Sequence, residues 1–372
     1  MKIFGIILIL IVFLGGNLYV FHRVWQLMPP SNTGRIILIS LAVLLTLSLV
    51  ASLAFGDSLP IPMASFFYKT GTAWFFIFLY LLILTLLKDL TRLLHIVPAE
   101  SFTHYTKDNW AGLALAFAFI TMLMVCGYLK YRWKVRVEKT LVTEKKMEKR
   151  QSLRIVAVSD LHLGYGIGRD ELANWIDLIN AENSDIVLIA GDIIDNSIRP
   201  LRHDSMEQCF RKIKAPLGVY ACMGNHEYIS GALESSRFIK DAGIHLLKDS
   251  TALLDSAFYV VGRDDRSNPR RKPLSDLLAQ VDKSKPVILL DHQPLHLDEA
   301  AANGIDLQIS GHTHHGQVWP LSLVTEQLYE IAHGWLEKGK TSICVTSGIG
   351  IWGGKFRIGT QSEYVVINLK QA

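Results

Sequence analysis

Hydrophobic positions in this chain follow two regimes. Up to Leu129 they form long unbroken runs, and from Leu153 onward short β-rich runs alternate with mixed, amphipathic stretches. Runs free of Asp, Glu, Lys and Arg cover Ile3–His22, Ile36–Gly56, Thr70–Leu87 and Asn109–Leu129. Each approaches the ~20 residues that a helix needs to cross the hydrocarbon of a bilayer. The pattern predicts four membrane-spanning helices over about 3–22, 36–56, 66–87 and 109–129, making residues 1–129 a transmembrane domain. The first run continues past Gly15-Gly16-Asn17 to Phe21 without a small-residue cleavage site, so it reads as a span and not as a removable signal.

The later runs are Leu153–Ser159, Ile186–Ala190, Leu217–Met223, Ala257–Val261, Pro286–Asp291, Asp306–Ser310, Ser342–Thr346 and Glu363–Leu369. Helix-like segments such as Arg169–Glu182 and Ser205–Lys214 lie between them. Such alternation predicts an α/β domain with a substantial sheet core over 151–372. Between Val318 and Leu336 the apolar residues Val324, Leu328, Ile331, Ala332, Trp335 and Leu336 recur at helical spacing. That stripe reads as core, or alternatively as an apolar lip for an acyl chain.

Charge refines the division. The net +4 comes from +3 in residues 1–129, +6 in residues 130–150 and −5 in the remainder. The basic excess is therefore a patch, read as a juxtamembrane linker that either faces anionic headgroups or serves as a topology signal. With four crossings, eleven basic residues (Lys2, Lys69 and nine in the linker) share one side, against Arg23, Arg35, Lys88, Arg92 and Lys107 on the other. Positive-inside counting then predicts a multi-pass protein of the cell (inner or plasma) membrane, its second domain in the cytoplasm. With no charge inside the charge-free runs, an ion pathway is poorly supported. Half of the residues are hydrophobic and 19% charged, which excludes a disordered or nucleic-acid-coating chain, and no nucleic-acid binding is expected. The four cysteines, Cys126, Cys209, Cys222 and Cys344, lie far apart and suggest neither a disulfide framework nor a thiolate zinc site.

The candidate chemistry follows the strands. Asp160-Leu-His162, Gly191-Asp192-Ile-Ile-Asp195, Gly224-Asn225-His226-Glu227, Asp291-His292 and Gly311-His312-Thr-His314 each come directly after a predicted strand. Strand ends of an α/β sheet share one rim, where ligand sites form. Carboxylates, an amide oxygen and imidazoles without thiolate make an O/N donor set suited to Mn, Fe or Zn. The D-x-H and H-x-H spacings place alternate side chains on the same side of an extended turn.

These five blocks, in this order, resemble the calcineurin-like metallophosphoesterase superfamily over about Leu153–Leu369. The stretches Ile309–Gln317 and Ser347–Gly359 are similar to its membrane-associated bacterial branch, which includes UDP-2,3-diacylglucosamine pyrophosphatase-like proteins. The resemblance implies a two-sheet β-sandwich flanked by helices and two divalent metal ions at the rim. One metal would be held by Asp160, His162, Asp192 and His314, and the second by Asp192, Asn225, His292 and His312. It also implies a catalytic pair, His226 as general acid and Asp195 orienting it. The expected activity is hydrolysis of a phosphodiester or pyrophosphate bond by metal-activated water, plausibly in a lipid-linked or nucleotide-lipid substrate such as one of lipid A biosynthesis, with membrane lipids as partners. The rival reading is a catalytically weak metal-binding sensor or regulatory domain. Two departures from the branch stand out: His315 where Gly is common, and Asp291 where a small residue is common. His315, Lys355 and Arg357 are candidate substrate contacts, against a solvated His315 and a plain β-turn for the other two.

Overall fold

A computed structural model describes residues 2–96, 98 and 107–372, with the backbone alone for residues 2–10. The chain divides into two compact units, Met1–Tyr128 and Leu129–Ala372.

The first unit is helical: α1 (Lys2–Leu27), α2 (Asn32–Phe55), α3 (Ile61–Leu93) and α4 (Trp110–Arg132). Among the described residues, α2, α3 and α4 are long and apolar enough to cross a membrane. The helices outrun the charge-free runs because backbone hydrogen bonding continues past the first charged side chain. Arg23 and Asp89 thus lie within α1 and α3, where they pair with each other and with Tyr19. Gly71 of α3 packs against the backbone of α2, where a Cβ would lie 2.4 Å from Leu49 N. Small residues permit this close approach between apolar helices. Buried Asn17 is satisfied internally: its amide donates to Phe13 O at 2.8 Å and accepts from the Trp74 indole at 2.9 Å.

The second unit is built on two six-stranded mixed sheets, β1-β12-β2-β3-β4-β5 and β10-β11-β9-β8-β7-β6. The strands of the first sheet are β1 (Lys134–Thr143), β2 (Ser152–Val158), β3 (Ile186–Ile189), β4 (Val219–Ala221), β5 (His245–Leu246) and β12 (Ser362–Gln371). Those of the second are β6 (Ser250–Leu254), β7 (Phe258–Gly262), β8 (Val287–Leu290), β9 (Leu307–Ser310), β10 (Gly334–Lys338) and β11 (Thr341–Val345). Leu153, Ile155, Leu188 and Ile367 of one sheet pack with Phe258, Ile288, Ile309 and Cys344 of the other. The outer face of the first sheet is covered by α5 (Arg169–Ala181), through Leu172, Trp175, Ile176 and Ile179, and by short helices. Burial on both faces explains why β3 and β8 read as unbroken apolar runs.

Two sequence expectations are corrected here. The basic stretch 130–150 is not simply a linker, since Lys134–Thr143 forms the ten-residue strand β1, parallel to β12 from Lys134↔Ser362 to Thr143↔Gln371. Its charges fit because β1 is an edge strand with one partly buried face, and Lys and Arg on such an edge discourage further pairing. Nor is Val318–Leu336 one helical stripe: a helix covers Leu321–Leu328 only, and Gly334, at φ +100°, begins β10. Val324 and Leu328 are 53% and 69% exposed, so that helix's apolar side is not core.

Candidate metal centre

Five loops leaving β2, β3, β4, β8 and β9 meet at one rim. Asp160 and His162 follow β2, Asp192 and Asp195 follow β3, Asn225 and His226 follow β4, His292 follows β8, and His312 and His314 follow β9. Asp160, His162, Asp192, His312 and His314 all have positive φ, from 47° to 71°. Left-handed backbone is uncommon for such residues, and its concentration at one spot marks a locally over-determined site. The approach of the loops requires glycine. A Cβ on Gly224 would stand 2.1 Å from Asp192 Oδ1, and one on Gly311 would stand 2.2 Å from Asp160 Oδ2.

Three groups of side chains converge closely enough to hold a cation: Asp160, His162 and His314; His162, Asp195 and His226; and Asp192, His292 and His312. His162 Nε2 lies 3.0 Å from His314 Nε2, 3.9 Å from Asp160 Oδ1 and 3.7 Å from Asp192 Oδ2. On the other side Asp192 Oδ2 is 3.0 Å from His292 Nε2. Asn225 Oδ1 joins this group at 2.8 Å from His312 Nδ1.

The donor set fits divalent cations. His292 Nδ1 donates to Ala190 O at 2.7 Å, which leaves Nε2, buried and 3.0 Å from Asp192 Oδ2, as the nitrogen that would meet a cation. Electrostatics point the same way. Burial opposes charge throughout, yet the surrounding carboxylates and their hydrogen bonds lift His162 to about 10 and His292 well above its ordinary value. Despite burial, the neighbouring histidines hold Asp160 and Asp192 below the usual carboxylate range. Burial draws His312 down to about 4 and His314 well below its ordinary value, so both offer neutral imidazoles. Such a cluster attracts positive charge while presenting lone pairs.

Asp195 lies behind two imidazoles, its Oδ1 3.3 Å from both His162 Nδ1 and His226 Nδ1. His226 Nδ1 also donates to Asp195 O at 2.8 Å. Burial and neighbouring His162 lower the His226 pKa, but Asp195 and Asp192 raise it overall.

Of the three candidate substrate contacts, Arg357 is corrected. It is buried, and its guanidinium donates to the carbonyls of His314 (2.6 Å), Ser347 (2.5 Å) and Gly350 (3.2 Å), bracing the rim from behind. Lys355 pairs with Glu171. His315 lies at the edge, 2.9 Å from Glu326 and stacked on His333 at 4.9 Å.

Sequence reasoning gave no role to two braces. The Glu227 carboxylate, fully buried, accepts from the backbone N–H groups of Asp192 (3.0 Å), Ile193 (2.7 Å), Ile194 (3.0 Å) and Gly224 (2.7 Å), tying the β3 loop to the β4 loop. Its place in the Gly-Asn-His-Glu block was the available signal. Asp291 is buried between Arg263 (3.3 Å) and Arg271 (3.2 Å), which accounts for an acid next to His292.

A rim of this make, with carboxylates and imidazoles converging around Asp192, is that of a metal-dependent phosphoester hydrolase. The chain belongs to the calcineurin-like metallophosphoesterases: the Calcineurin-like phosphoesterase family matches residues 153–316, and an uncharacterized metallophosphoesterase of Aquifex aeolicus is 30% identical over 63% of this chain and 92% of its own length. A transmembrane protein with metallophosphoesterase domain from Danio rerio is 30% identical over 72% of this chain, which spans 64% of that protein. Among solved structures, the 5'-nucleotidase precursor of Thermus thermophilus aligns at 14% identity and TM-score 0.36, over 59% of this chain and 54% of that one. With its apolar helices and transmembrane relatives, the chain is a membrane protein.

Proposed function

We propose that this chain is a membrane-anchored phosphoesterase with two divalent cations, Mn, Zn or Fe, that hydrolyses a phosphodiester or pyrophosphate bond in a lipid-linked substrate. The observation that carries the reading is the place of Asp192, whose Oδ2 lies between His292 on one side and His162 on the other. Asp160, His162, Asp192 and His314 would hold one cation, and Asp192, Asn225, His292 and His312 the other. Two cations held there would supply Lewis acidity, a water activated for attack and neutralisation of charge on the phosphoryl oxygens.

The protein's own groups do the rest. Asp192 is fixed by the His226 N–H at 2.9 Å, and Asp160 by the His312 N–H at 3.0 Å. With Nδ1 committed to Asp195, His226 has Nε2 left to give its proton to the departing oxygen, a contribution of about 10²–10⁴-fold. The rim supports an apolar substituent. The Leu321–Leu328 helix is joined to the His-x-His loop by the His315–Glu326 bond, and the Tyr329 ring meets the His312 ring edge-on at 6.2 Å. Its exposed Leu323, Val324 and Leu328, with Trp319 and Trp352 near by in the chain's rim loops, offer acyl chains a surface. The positive-inside count supports four crossings, α1 included, and a cytoplasmic catalytic unit.

The test compares full-length protein in detergent on an acylated phosphodiester and its deacylated counterpart. The acylated compound should be cut at least about tenfold faster, a difference of about 1.4 kcal/mol, and Leu323→Ser with Leu328→Ser should abolish that preference. Equal rates contradict the lipid assignment, and no hydrolysis of either contradicts the enzyme.

A further inference from the structure

The helical unit contains a cavity of about 560 Å³, lined from all four helices. That volume falls in the ~300–1,000 Å³ range of small-molecule sites. Its lining comes from residues 21–27 of α1, 38–45 of α2, 74–88 of α3 and 112–119 of α4. The slot is charged where Arg23 and Lys88 line it and apolar around Trp74, Leu45 and Phe119.

The charged part is cationic on balance. Among the described residues, Asp89 is the one carboxylate between the two cations, bonded to Arg23 and 3.5 Å from Lys88 Nζ, which leaves one net positive charge. The Arg23 and Lys88 side chains are 23% and 26% exposed, so a headgroup phosphate oxygen can reach both. We propose that this slot seats one lipid with an anionic phosphate headgroup, its acyl chain running down to Trp74 and its phosphate against Arg23 and Lys88. This goes beyond the reading of the metal centre and does not depend on it.

Trp74 is the reporter. Full-length protein in detergent is titrated with phosphatidylglycerol brominated on its acyl chain and, separately, with phosphatidylcholine brominated in the same way. The Trp74 share of fluorescence is isolated by difference from the Trp74→Phe variant. Phosphatidylglycerol should half-quench that share at a concentration about fivefold lower than phosphatidylcholine, the effect of about 1 kcal/mol for one basic residue near a headgroup. Lys88→Gln should erase the advantage, and Ala116→Phe, which fills the slot, should remove the quenching; Gly112→Leu serves the same purpose if Ala116→Phe does not fold. Equal quenching by both lipids would mean a plain apolar crevice and overturn the proposal. So would quenching by neither, or quenching that survives the filled slot.

Discussion

The two His/Asp groups on either side of the rim, Asp160/His162/His314 and Asp192/His292/His312, differ in what stands behind them. In the group of Asp160, His162 and His314, the rear nitrogen of His162 faces a carboxylate, Asp195 Oδ1 at 3.3 Å. In the group of Asp192, His292 and His312, the rear nitrogen of His292 donates to a main-chain carbonyl, Ala190 O at 2.7 Å. A charged partner makes an imidazole a stronger donor than a neutral carbonyl does, so the first group should bind its cation more tightly for its number of ligands. The same carboxylate also reaches His226 at 3.3 Å, so the first group is joined to the proposed acid through a side chain, whereas the second is joined to it through the His226 backbone N–H on Asp192. A difference in one second partner thus divides the rim into a side that is electrostatically tuned and a side held by backbone.

The largest effect that sharpens this comparison is on His226 itself. His226→Ala should lower the turnover rate by about 10²–10⁴-fold while both groups keep their metal, as measured by metal content after dialysis; loss of metal would move His226 into the ligand set. Next comes Asp195→Asn, which should weaken metal retention at the first group by about 10–100-fold and leave the second unchanged. Equal weakening of both, followed by titration with a chelator, would break the asymmetry.

The smallest effect lies away from both groups. Glu182 is bonded to Arg136 of β1, Arg154 of β2 and Tyr364 of β12. Burial raises its pKa, but these three partners lower it overall. Because the folded value is depressed, its contribution is complete above the ordinary glutamate value of 4.5 and fades as the pH falls through the lower folded value. Arg136→Gln should remove at most about 1 kcal/mol of stability at neutral pH, with the difference from the parent vanishing in acid, as followed by thermal unfolding. A constant difference across pH would put the effect in packing.

The same contrast explains what the sequence made legible. Asp160, His162, Asp192, Asn225, His292, His312 and His314 were readable because each follows an apolar run, and runs buried on both faces announce strands. All eight strands expected from such runs appear, as β2, β3, β4, β7, β8, β9, β11 and β12. Strand β1 was hidden because an edge strand needs only one apolar face, and its Lys and Arg read as linker. Strand β10 was hidden because Trp335 and Leu336 fall by chance in helical phase with Val324 and Leu328. Arg357, Glu227 and Asp291 could not be assigned, since their roles rest on contacts across the fold: three carbonyls of two loops for Arg357, four N–H groups for Glu227 and two guanidiniums for Asp291. Spacing shows which residues reach the rim, and only packing shows which of them are occupied in holding it together.

The central claim is that Asp192 serves both groups in a metal-dependent hydrolysis. It is tested most directly by hydrolysis of a generic phosphodiester by the full-length protein in detergent, with Mn²⁺, with Zn²⁺ and with chelator, beside Asp192→Asn. The account predicts activity that requires metal and falls by about 10³-fold or more in Asp192→Asn, because several kcal/mol of transition-state stabilisation are lost, with metal binding weakened in both groups. Undiminished turnover of the folded Asp192→Asn protein, or hydrolysis that survives complete chelation, would contradict it.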